Sequence, residues 1–282
     1  MSRFHSAAAG FALALAAGTA SADTWSVTLA PSMTAPRLGD LNAALRDEGL
    51  ASSAQAVGAV GAGSGMRQTG FDRARWQFGA DLGLAYEFNE DLRGGLQFGF
   101  CLVPTSDSIS LTDTSTRISG TMTITSATAY TATERVSLPL ARIGLFVQRT
   151  FRFEDSPEFM LYLGGWGSVG TLAGASLSGD LTQFGTNLKS SYHIALSGQG
   201  WGGGALGGAE YAVTPLLSLV LESGFDAFWI ATVDSRASLT KPSGTSTGKT
   251  IPLLNGANRG IGLDFSGVFV RIGLRATFRT PS

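Results

Sequence analysis

The chain has 282 residues, enough for one large domain or two small ones. Only 15% of them are charged and the formal net charge is −1, so the basic footprint that nucleic-acid binding requires is missing. Mean hydropathy is +0.17, yet past the N-terminus no apolar run reaches the roughly 18 residues of a spanning helix. The single cysteine, Cys101, excludes an internal disulfide framework and reads as a small buried filler.

The N-terminus reads as a signal peptide. Arg3 and His5 give a short polar start, Ala7 to Gly18 is an apolar core, and Ala20-Ser21-Ala22 is a small-residue cleavage site. Residues 1–22 are therefore expected to be removed, leaving a mature chain of 23–282 that leaves the cytoplasm. The first candidate strand is Trp25 to Pro31, where Trp25, Val27 and Leu29 alternate with Ser26, Thr28 and Ala30. Pro31 and Pro36 are expected to end its pairing. Leu38 to Leu50 carries helical spacing at Leu38, Leu41 and Leu45, with Asp40 as N-cap and Gly49 as C-cap, so one short helix is predicted in the first long loop.

Arg75 to Phe88 shows the clearest alternation. Trp76, Phe78, Ala80, Leu82, Leu84, Tyr86 and Phe88 take one face, and Arg75, Gln77, Asp81 and Glu87 take the other. Asn89-Glu90-Asp91 is a tight polar turn, and the next strand sets Leu96, Phe98 and Phe100 against Arg93, Gln97 and Cys101. A Ser/Thr-rich stretch from about Ser106 to Arg135 follows; it is read as a polar hairpin extending two strands, with an extra strand pair as the alternative. The fourth strand, Val136 to Phe153, changes phase near Pro139 to Arg142, which a bulge would accommodate. After the turn Glu154 to Pro157, a fifth strand alternates Leu161, Leu163 and Val169 with Tyr162, Trp166 and Ser168. A polar loop, roughly Ala173 to Ser190, leads to a sixth strand that opposes Trp201, Ala205 and Tyr211 to Leu206 and Glu210. The short turn Val213 to Pro215 precedes a seventh, with Leu217, Leu219, Leu221, Phe225 and Trp229 against Ser218, Glu222 and Asp226. A fourth long loop, about Val233 to Gly262, precedes the terminal strand Phe265 to Phe278. There Val268, Val270, Ile272, Leu274 and Phe278 face one way, and Arg271, Gly273 and Arg275 the other.

Eight strands with three short and four long connections in alternation predict an all-β, eight-stranded antiparallel transmembrane barrel, with ten strands as the alternative. Aromatics at Trp25, Tyr86, Phe88, Phe153, Phe159, Tyr211 and Phe278 cluster at one end, as an interfacial girdle requires. In this arrangement apolar faces meet lipid, and the polar faces turn inward. The lumen then collects Arg75, Asp81, Glu87, Arg93, Glu210, Glu222, Asp226, Arg271 and Arg275, with Arg271 and Arg275 expected near Glu222 or Asp226 on the neighbouring strand. Two readings of that lumen stand: an ion-paired plug, because an unpaired buried charge costs more than a paired one, and a narrow porin-like path for small solutes.

On these residues the sequence resembles the small outer-membrane β-barrel families of the OmpA, OmpX and OmpW type. The resemblance implies a monomer in the outer membrane of a Gram-negative bacterium, surrounded by lipid and lipopolysaccharide. It also implies that the last strand, through Gly273 and Phe278, is the signal read by the barrel-assembly machinery. Lipid-modifying barrel enzymes exist, and His193 beside Ser190, Ser191 and Ser197 is the one place such chemistry could sit. The reading remains a non-enzyme without cofactor or metal, acting structurally or through its long surface loops.

Overall fold

The computed structural model describes residues 24–36, 65–68, 77–119, 122–183, 189–241, 244–250 and 262–279. Among them, fourteen strands form one sheet: β1 Thr24–Pro36, β2 Gly65–Gln68, β3 Gln77–Asn89, β4 Leu92–Ser119, β5 Met122–Phe153, β6 Ser156–Leu172, β7 Ala175–Gln183, β8 Lys189–Ser197, β9 Gln199–Thr214, β10 Leu217–Ile230, β11 Asp234–Lys241, β12 Gly244–Thr250, β13 Leu263–Asp264 and β14 Gly267–Arg279. Eight of these, in the order β1-β3-β4-β5-β6-β9-β10-β14, close into a ring, with β14 antiparallel to β1 at the seam. Closure leaves no unpaired edge in that ring, the condition for a sheet to sit in hydrocarbon.

Within the belt the outer face is apolar. Leu29, Phe78, Leu163, Val268 and Ile272 are each more than half exposed, and the outward rows of all eight ring strands carry large hydrophobics. A soluble monomer rarely exposes a contiguous apolar patch beyond a few hundred Å², so this belt faces lipid. Along β14 the belt runs from Val268 to Phe278. Ten residues at about 3.3 Å each, tilted about 40°, span roughly 25 Å, the height of an outer-membrane hydrocarbon band. Trp25 meets Tyr86 (ring centroids 5.0 Å apart) and Tyr86 meets Phe88 (5.4 Å) at the short-turn end. Trp201 and Trp229 (5.5 Å) mark the opposite edge.

Several sequence expectations change. The strand carrying Pro31 does not stop there: β1 runs on to Pro36, and only the β14 ladder skips Ala30 and Pro31, where the proline has no donor to offer. The ten-strand alternative does not apply, because β4 and β5 pair without interruption up to Ser119 opposite Met122. No bulge interrupts β5 near Pro139 to Arg142. The β4–β5 register is continuous, and Val136, Leu138, Leu140, Arg142, Phe146 and Gln148 all point inward. The apparent phase change arises because the lumen itself turns apolar at its long-connection end.

The third and fourth long loops contain strands. β7 pairs with the upper part of β5, β8 with β7, β11 with β8 and β12 with β11, so one side of the barrel continues well past the belt as a hydrogen-bonded wall. Gly174 (φ +79°) makes the bend between β6 and β7, a backbone position that favours glycine. The helix expected over Leu38 to Leu50 lies outside the described residues, as does Arg75.

Candidate functional site

The chemistry-bearing residues of the chain are stacked along the barrel axis, placed there by ladder register. In the layer nearest the short turns, Arg93 on β4 lies opposite Gln148 on β5. Its Nε donates to Gln148 Oε1 (2.6 Å) and its Nη1 to Glu210 Oε2 on β9 (2.9 Å). Arg275 on β14 also donates to Glu210 Oε2 through Nη1, and its Nε to Thr28 Oγ1 (2.8 Å). Glu210 is therefore held between two guanidinium groups, and all three side chains are less than a tenth exposed.

Tyr162 on β6 joins this layer to the next. Its ring lies 4.3 Å from the Arg93 guanidinium carbon and 5.5 Å from that of Arg275, and its hydroxyl donates to Glu222 Oε1 (2.9 Å). Such stacking of guanidinium on an aromatic face strengthens when water is excluded. Glu222 lies directly opposite Arg271 in the β10–β14 ladder. Arg271 reaches Glu222 Oε2 and Asp81 Oδ2, both at 3.6 Å, and packs over Phe269 at 4.3 Å and Trp166 at 5.6 Å. Asp81 accepts a further bond from Gln97 Nε2 (3.0 Å). Above it, Arg142 pairs with Asp226 and lies 5.8 Å from the Phe228 ring.

Among the described residues, four inward guanidiniums, those of Arg93, Arg142, Arg271 and Arg275, thus face four inward carboxylates, those of Asp81, Glu210, Glu222 and Asp226. Arg275 pairs with Glu210, and Asp226 with Arg142; the expectation that both arginines of the last strand meet β10 carboxylates holds for Arg271 alone. Glu87 stands apart from this set, 3.7 Å from the half-exposed Arg152 at the short-turn end. Arg142 is the charged residue that the sequence reading missed. It shares parity with Gly144 and Gln148, and that signal was masked by Leu138 and Leu140 on the same face.

Apolar side chains fill the space between the charges. Ala85, Phe146, Tyr162, Trp166, Leu206, Val220 and Phe269 make one buried cluster. Beyond Arg142 the inward side chains turn apolar: Leu138, Leu140, Phe228 and Phe265 are buried, the last two meeting edge to face at 6.4 Å. The Phe265 amide donates to the Phe228 carbonyl (2.9 Å), folding the segment after β13 inward. Two small spaces lie between these side chains along the axis. One of about 30 Å³ is bounded by Asp81, Gln97, Glu222, Arg271 and Arg275, and one of about 10 Å³ by Asp81, Gln97, Arg142 and Ser168. The first has room for about two waters and the second for about one.

Glycines make the layers possible. A Cβ on Gly208 would stand 2.4 Å from Tyr162 Cζ, so the tyrosine ring lies flat on bare backbone. Gly208→Ala is expected to displace the ring, weaken its bond to Glu222 and cost about 1–3 kcal/mol; urea titration of the refolded barrel measures it. Of the two residues singled out in the last strand, Gly273 sits against Leu29 O and Ala30 at the seam, and Phe278 faces outward opposite Trp25. Cys101 is buried on the lumen side of β4. His193 is exposed on the outer face of β8, opposite Ser178 and Ser238, and the described residues contain no cluster of potential metal ligands.

No protein-family model and no curated protein matches the sequence. Among solved structures, a major outer-membrane protein of Thermus thermophilus is 15% identical with a TM-score of 0.43, over 92% of this chain and all of that one. Neisserial surface protein A is 14% identical (TM-score 0.35; 92% and 98% covered), and OprG from Pseudomonas aeruginosa is 12% identical (0.35; 93% and 99%). At such scores the likeness carries no functional argument, and the architecture rests on the chain's own pairing and exposure. The ring closure, the roughly 25 Å apolar belt and the inward charges make this chain an eight-stranded antiparallel transmembrane β-barrel.

Proposed function

We propose that the protein is an integral outer-membrane barrel whose lumen is plugged by its own ion pairs, and that it serves as a structural or surface-contact element through the wall and loops beyond the belt. The observation that carries this reading is the match of four inward guanidiniums to four inward carboxylates among the described residues, with two of the spaces they bound holding only about one or two waters. A conducting pore needs a continuous aqueous path and charges free to meet ions. Here the charges meet each other. The apolar closure at Leu138, Leu140, Phe228 and Phe265 adds a second barrier above them.

The rest of the reading follows from this placement. Residues 1–22 direct export, the terminal strand with Gly273 and Phe278 is read by the barrel-assembly machinery, and the folded monomer sits among outer-leaflet lipids and lipopolysaccharide. The hydrogen-bonded wall of upper β4, upper β5, β7, β8 and β11 supports a contact role, because it presents a rigid surface beyond the membrane. Single-channel recording in planar bilayers tests the plug. Wild-type protein is expected to show no stable open level above the bare bilayer, and a stable open conductance would defeat the reading.

A further inference from the structure

The barrel wall has one weak place that the plug does not use. Seven of the eight ring ladders run through the belt without a break. The register irregularities of the β3–β4, β5–β6 and β9–β10 ladders all lie beside short turns. The seam between β1 and β14 is the exception. Its pairing runs from Thr24 opposite Arg279 to Leu29 opposite Leu274, stops, and resumes at Ser32 opposite Arg271. At the break Pro31 stands across from Ile272 and has no N–H to give the facing carbonyl. On its other side the same proline does no harm, since the β1–β3 ladder passes Pro31 opposite Ala80 unbroken. Ile272 lies near the middle of the belt, where no water is at hand to replace the missing rung.

The lumen side of the break is thinly backed. Ala30 and Gly273, two of the smallest residues, face inward across it. Behind them lies the axial space of about 30 Å³, bounded by Thr28 and Ala30 on β1 and by Arg271 and Arg275 on β14. Side chains hold the seam where the ladder does not. On the short-turn side of the break, Arg275 Nε donates to Thr28 Oγ1 across the seam (2.8 Å). On the other side, Arg271 Nη1 reaches past β1 to Asp81 Oδ2 on β3 (3.6 Å).

We propose that the β1–β14 seam is a lateral opening unit of the barrel, broken at Pro31 and latched on its lumen face by Arg275 on Thr28 and Arg271 on Asp81. Opening parts the two strands at the break and joins the axial space to the bilayer side of the wall. It requires no movement of the Arg142–Asp226 pair or of the apolar residues above it, so it is separate from axial conduction. The proposal rests on the transmembrane placement of the barrel and is independent of whether the lumen conducts.

Residue-resolved hydrogen exchange of the refolded, heat-modifiable barrel in detergent micelles tests it. The reference amides are Leu82 and Phe98, paired in the unbroken β3–β4 ladder, Leu82 being also the β3 partner of Leu29. In wild type the Ile272 and Leu274 amides are expected to exchange at least about tenfold faster than this pair, the worth of one hydrogen bond. Pro31→Val, which restores a donor, should slow both seam amides by about the same factor and leave the reference pair unchanged. Thr28→Val, which removes one latch and keeps the side-chain shape, should speed the seam amides alone. Seam amides as protected as the reference pair in wild type would overturn the proposal, as would seam rates indifferent to either substitution. Wild-type chain that yields no heat-modifiable form would instead sink the barrel reading and the seam with it.

Discussion

Glu210→Ala is expected to be among the most destabilising single changes in the lumen, costing about 3–5 kcal/mol. The carboxylate accepts from both Arg93 and Arg275, which are almost wholly buried and have been stripped of water by the barrel wall. Removing it leaves two guanidiniums side by side near the Tyr162 ring, with Gln148 and Thr28 as their remaining neutral acceptors. Their mutual repulsion in a low-dielectric interior adds to the lost attraction. Glu210→Gln, which keeps the shape and one acceptor oxygen, should fall between the alanine variant and wild type. The control is Arg152→Ala. It breaks a pair that is 3.7 Å long and half exposed, and such pairs contribute about 0–1 kcal/mol. Urea unfolding of refolded protein in lipid vesicles, followed by tryptophan fluorescence, measures all three. A Glu210→Ala barrel no weaker than Arg152→Ala would remove the lumen network from the account of stability.

The barrel was legible because its outer face obeys one chemical rule throughout. Phe78, Leu82 and Leu84 on β3 and Val268, Val270 and Ile272 on β14 all meet lipid, so period-two alternation reports the face directly. Adjacency then places Glu222 beside Arg271, and the ladder pairs them. The inner face obeys no single rule, and there the reading fell short. Leu138 and Leu140 face inward and are fully buried because the lumen becomes an apolar core at its long-connection end. Parity judged by hydropathy alone therefore reversed at that point and hid Arg142. The long connections misled for a related reason. In β7, Ala175, Leu177 and Gly179 alternate against Ser176, Ser178 and Asp180, a strand pattern diluted by hydroxyls. It read as loop because strands beyond a membrane need no lipid-compatible face: their outer sides are as polar as any turn. The pairing partners of Glu210 were beyond reach for another reason. Contacts across the lumen, from β9 to β4 and β14, depend on shear and tilt, which adjacency does not encode.

Charge placed on the outer face separates lipid from water more sharply than any internal change. Ile272 lies six residues from Phe278 along β14 and four from Val268, close to the middle of the belt, and is more than half exposed. Ile272→Arg would present a guanidinium to hydrocarbon, at an expected cost of about 2–4 kcal/mol at the midplane. Val268→Arg, at the belt's outer edge and equally exposed, should cost only about 0–1 kcal/mol, because the side chain can reach the interface. Neither position packs against the lumen, so propensity and core packing change little between the two variants. In a soluble β-sandwich the order would collapse: the apolar face of the strand would be the core, and both arginines would be buried there at similarly high cost. Unfolding free energies for the pair in lipid vesicles and in detergent decide the matter. A gap of about 2 kcal/mol or more in vesicles, narrowing in the softer micelle, follows from a belt that spans the bilayer. Equal stabilities in vesicles would mean that the apolar face of β14 is not a lipid-facing surface.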